Sequence, residues 1–65
     1  MPLRSAVKDL IHLTSEMGIS INDPIVMQDF PPNIPHSSAI RRWYGYDDQT
    51  RKEAVRTVLL DNRRD

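Results

Sequence analysis

Residues 31–35, Pro-Pro-Asn-Ile-Pro, cannot sit inside a helix or a central strand. Proline has no amide hydrogen, and it pushes the residue before it out of the helical region. With His36 the stretch reads as an extended, stiff connector. It divides the chain into two parts, each of which must form its own regular structure. A partner's aromatic groove is the other use for such a composition. The stretch lacks the flanking charge of a PxxP ligand, so a connector packed on its own domain through Ile34 is the favoured reading.

Before the connector, Leu3 to Met17 carries the clearest helical pattern. At about 100° per residue, Leu3, Ala6, Val7, Leu10, Ile11, Leu13, Thr14 and Met17 share one side. Arg4, Ser5, Lys8, Asp9, His12, Ser15 and Glu16 take the other. Pro2 suits the first helical position, and Gly18 suits a left-handed cap that folds Ile19 back onto the last turn. The apolar stripe reads as a core face. In 20–30, Asn22-Asp23-Pro24 resembles a helix start with Asp23 as N-cap, which predicts a two-turn helix over 24–30. The β-branched Ile19, Ile21, Ile25 and Val26 leave a short extended pairing as the competing reading.

After the connector, Ser37 or Ser38 caps a short helix that runs to about Tyr44 and stops at Gly45. Ile40 and Trp43 anchor it, while Arg41 and Arg42 reach solvent. Asp47-Asp48 caps a last helix to about Asn62, with Arg63-Arg64 at its negative end. Ala54, Val55, Val58 and Leu59 form its stripe, and Leu60 projects from the polar side. The expected architecture is all-α: a small single domain over 1–65, of three to four helices with a proline-rich connector. Val7, Leu10, Ile11, Met17, Ile25, Phe30, Ile40, Trp43, Val55, Val58 and Leu59 form its expected core.

Size and charge narrow the function classes. A chain of 65 residues without cysteine is near the lower limit for independent folding and has no disulfides to help. Tight helix packing or oligomerisation is the usual substitute, so a homo-oligomer is one expectation. Nine basic residues balance nine acidic ones. The part up to His36 is mildly acidic and the rest mildly basic, far short of the footprint of a dedicated nucleic-acid binder. No apolar run approaches the roughly 20 residues of a membrane span. The first residues lack the apolar region of a signal peptide, and a cytoplasmic location is expected.

Catalytic and metal chemistry find little to work with. Nucleophilic catalysis needs a nucleophile beside an oriented base; the serines occupy cap positions, and neither His12 nor His36 has an orienting partner in the pattern. His12 and Glu16 offer two metal ligands without a third at ligand spacing, and the two glycines close helices rather than cradle phosphates. No catalytic residue, metal or cofactor is expected, and the chain is read as non-enzymatic.

The informative segment is 37–46, which holds the only Trp, both Tyr residues and an Arg pair. Trp, Tyr and Arg are the types enriched at binding hot spots. The expected role is a protein-interaction module acting as inhibitor, adaptor or assembly component. Its partner-binding residues are Arg41, Arg42, Trp43, Tyr44, Tyr46 and Arg51. Alanine at Arg42 and Tyr44 is expected to weaken partner binding without unfolding the chain. The alternative is a DNA- or RNA-binding regulator using the same residues, with arginines on phosphates and aromatics stacked on unpaired bases. A chain of this size and plainness also fits a phage or viral accessory protein.

Overall fold

The computed structural model describes residues 3–29 and 37–62. In order they form α1 (Leu3–Met17), a 3₁₀ turn (Pro24–Val26), α2 (Ser38–Gly45) and α3 (Asp48–Asn62). The described residues contain no strand, and the all-α expectation is met. Phe30, the proline connector with His36, and Arg63-Arg64 lie outside the described residues. None of the helices is long and apolar enough to cross a membrane.

α1 is the spine, since both α2 and α3 pack on it. Its end follows from Gly18, which adopts φ 63°. The Gly18 amide donates to Ser15 O at 3.3 Å and the Ile19 amide to Thr14 O at 3.1 Å, the paired bonds of a Schellman cap. A side chain at residue 18 would be strained in this left-handed conformation. α2 begins where Ser37 Oγ accepts the Ile40 amide. α3 begins where Asp47 Oδ1 accepts the Thr50 amide at 2.8 Å, and Thr50 holds that carboxyl below its ordinary value, first through its side chain and then its backbone.

The core joins Ala6, Leu10 and Leu13 of α1, Val26 of the turn, Ile40 and Trp43 of α2, and Ala54 of α3. Val7, Met17, Val55 and Val58 pack against it half-buried. Ile11 was expected in this core and is not: it is 52% exposed. The buried face of α1 centres on Ala6, Leu10 and Leu13, and Ile11 lies beyond its Val7 edge. Leu60 is equally exposed, as its position on the polar side implied.

The stretch over 24–30 also departs from expectation. Asp23 does cap it, accepting the Ile25 amide at 3.0 Å. The helix, however, is a single 3₁₀ turn closed at Met27, not two α-helical turns. A continuing α-helix would need the carbonyls of Ile25 and Val26 for its next amides. Those carbonyls accept instead from the Tyr44 hydroxyl and the Trp43 indole. Tertiary donors win over local helix propagation, helped by the low helix propensity of β-branched Ile25 and Val26.

Trp43 has no exposed surface, and its Nε1 donates to Val26 O at 2.8 Å. Trp43→Phe removes that donor and some volume, leaving a buried carbonyl one bond short. It should lower stability by about 1–3 kcal/mol, read from urea unfolding followed by helical circular dichroism. An unchanged midpoint would mean that the indole bond contributes nothing.

Candidate functional site

The six residues singled out in the sequence are brought together by α2 and the first turn of α3, but most face inward. Trp43 is in the core. Tyr44 is half-buried, with its hydroxyl on Ile25 O. Tyr46 is half-buried, its ring edge-on to Trp43 at 6.4 Å between centroids. Arg51 is buried, 8% exposed, with its guanidinium carbon 5.9 Å from the Tyr44 ring centroid. Arg51 Nη1 donates to Gln28 O at 3.3 Å. Its Nη2 lies 3.9 Å from the exposed Asp48 carboxylate, which also pairs with Lys52 at 3.1 Å. Arg51 Nε has no hydrogen-bond partner. Three of the six residues therefore bind the chain's own backbone: Tyr44, Trp43 and Arg51 hold the carbonyls of residues 25, 26 and 28.

Arg41 and Arg42 remain exposed. Arg41 points away from the core face of its helix. Arg42 lies along the edge facing α1, where it meets Asp9. Asp9 is 3% exposed, although the helical pattern assigned it to the polar side. Arg42 Nη2 donates to Oδ1 at 3.0 Å and Nε to Oδ2 at 3.1 Å, a two-pronged pair. The Tyr46 hydroxyl donates to Oδ2 at 2.8 Å. Asp9, through its hydrogen bond and its charge, raises the Arg42 pKa above its ordinary value. Beside this pair, Ser5, Lys8, Asp9 and Arg42 line an open polar cleft of about 200 Å³.

Asp9 is the residue that reading the sequence missed, and Arg51 was named there as a partner-binding residue although the structure buries it. Both signals were present. Asp9 precedes Leu13 by one turn, so it borders the buried sector of α1. Arg51 precedes Ala54 and Val55 by three and four positions, so the apolar stripe of α3 runs back onto it. Charge concealed position in both cases. Among the described residues no three side chains of metal-ligating type gather into one site. Compared with known protein families, curated proteins and solved structures, the chain matches none.

Two outcomes follow from this geometry. Removing Arg42 leaves a buried carboxylate with one remaining side-chain donor, which is worse than losing an ordinary exposed arginine. Arg42→Met should therefore destabilise the wild-type chain more than it destabilises an Asp9→Asn background. The water-facing guanidinium keeps the difference modest. A double-mutant cycle by urea denaturation measures it, and additivity would show that the pair is not coupled.

The second concerns alkaline pH. Burial, followed by the Asp9 hydrogen bond and charge, raises the Tyr46 pKa. Burial raises Tyr44 too, against the opposing charge of Arg51. Folded phenols then keep their protons to higher pH than unfolded ones. Their contribution is complete below the unfolded value of about 10 and is lost as pH rises toward the folded values. Ultraviolet titration of tyrosinate should show both midpoints above those of the urea-unfolded chain, with helical content falling as they are passed. Coincident folded and unfolded titrations would contradict both hydroxyl bonds.

Proposed function

We propose that the chain is a non-enzymatic protein-interaction module, working in the cytoplasm, that presents the arginine edge of α2 to an acidic partner. The observation supporting this is the division of labour within α2. Ile40 and Trp43 fix the helix to the core, while Arg41 and Arg42 remain outside. A helix locked on one face presents charges in a fixed geometry, which lowers the ordering cost of binding. The burial of Trp43 favours this reading over nucleic-acid binding, because the largest ring in the segment offers no face for a base to stack on.

The internal bonds of Arg42 and Tyr44 also decide which variant tests the reading. Alanine at those two positions would disturb Asp9 and the 3₁₀ turn, so lost binding could reflect a damaged fold. Arg41 carries no such contact. Arg41→Glu should leave the unfolding free energy from urea denaturation within about 0.5 kcal/mol of the parent and abolish recovery of the partner in crosslinked affinity capture with the whole chain as bait. Retention of the same captured protein by Arg41→Glu would remove α2 from the interface. Recovery of salt-sensitive nucleic acid in its place would favour the phosphate-binding alternative.

A further inference from the structure

We infer that the cleft between α1 and α2 is a binding site for a phosphate group, held by Arg42, Lys8 and Ser5. The inference stands apart from the protein-interaction reading, since it concerns the ligand chemistry of the cleft and needs no protein partner. The first observation is the state of Arg42. Its Nε and one face of Nη2 are committed to Asp9. Nη1 has no partner among the described residues, and the side chain is 57% exposed. A guanidinium has two donor edges. Here one edge is fixed by a buried carboxylate, and the arginine is one of the residues that line the cleft. Asp9 thus orients the arginine as a second-layer carboxylate orients a ligand, and Tyr46 in turn holds Asp9.

The second observation is the company Arg42 keeps. Lys8 lines the same cleft, is exposed, and forms no ion pair among the described residues. Ser5, one turn before Asp9, also lines it and brings a hydroxyl. Of the charged groups lining the cleft, two are cations and one is an anion, and that anion already accepts three donor groups through its two oxygens. The cleft therefore keeps one uncompensated positive charge. Its donors come from two helices: an ammonium, a hydroxyl and the second guanidinium edge. A planar carboxylate satisfies an arginine edge within one plane. A tetrahedral phosphate offers further oxygens out of that plane, which suits a cleft whose other donors, Lys8 and Ser5, belong to a second helix. The cleft volume of about 200 Å³ and its open side admit either inorganic phosphate or the phosphate of a monoester whose remainder points to solvent.

The test is a titration of the intact 65-residue chain with inorganic phosphate, and separately with methyl phosphate, at constant ionic strength maintained with chloride. Proton–nitrogen spectra follow the backbone amides of Ser5 and Lys8 and the Nε–H of Arg42. Saturable shifts sharing one dissociation constant are expected at all three. Lys8→Gln should weaken that constant by about threefold or more, and Ser5→Ala should weaken it as well. Arg56→Gln, on the exposed face of α3, should leave it unchanged. Both substituted cleft residues are exposed, so the spectra of the variants should otherwise overlay that of the parent. Equal binding of both ligands assigns the cleft to monoesters, and binding of inorganic phosphate alone assigns it to the free ion. Linear shifts, shifts that chloride reproduces, or a constant indifferent to Lys8→Gln would overturn the inference.

Discussion

The hydrogen bond from the Trp43 indole to the carbonyl of Val26 fixes the relation between the two parts of the chain. It is a long-range contact across 17 positions of sequence, and it solves two problems together. A tryptophan in a core must satisfy its N–H, and a non-helical turn in a core must satisfy its carbonyls. Each is the other's solution. Around it, Leu10 and Leu13 of α1 and Ile40 of α2 close the apolar interior. A small chain buries a modest share of its surface, so one bond that also positions the largest side chain has disproportionate weight.

Two buried polar groups extend this arrangement to the edges of the core. Asp9 ties α1 to the end of α2 through Arg42 and Tyr46. Arg51 ties α3 to the segment after the 3₁₀ turn through Gln28 O and the face of Tyr44. The two ties differ. Asp9 is richly supplied with donors, whereas Arg51 keeps one donor without an acceptor. Taking one partner from a buried pair costs more than the pair itself adds to stability, because it leaves a charge uncompensated in the interior. The Asp9 tie in particular holds α2 at its last turn through Arg42 and just past its end through Tyr46.

Much of the helical layout was legible in the sequence. Periodicity and cap residues are local signals, and they located α1, the Gly18 cap, the Asp23 and Ser37 caps and the span of α3. The fate of the 24–30 stretch was not legible, because it depends on which donors reach the carbonyls of Ile25 and Val26, and these come from a segment distant in sequence. The basic-aromatic segment was recognised as the chain's focus, but its direction was not. Composition does not say whether an arginine or a tyrosine donates inward or outward. Asp9 and Arg51 were legible by position and hidden by charge: a strict apolar count leaves a gap in a stripe wherever a paired ion completes it.

α2 has only eight residues, too few to persist as a helix in water without tertiary support. The arginine pair it displays therefore exists in that arrangement only while α1 and the 3₁₀ turn are docked. The proposed recognition through this helix would have the same thermodynamic threshold as the fold: a ligand that selected the helical form would raise the melting temperature of the whole chain, and loss of the turn would erase the surface as a unit. For a chain this small, the proposed binding surface has no independent existence, and its lifetime is the lifetime of the native state.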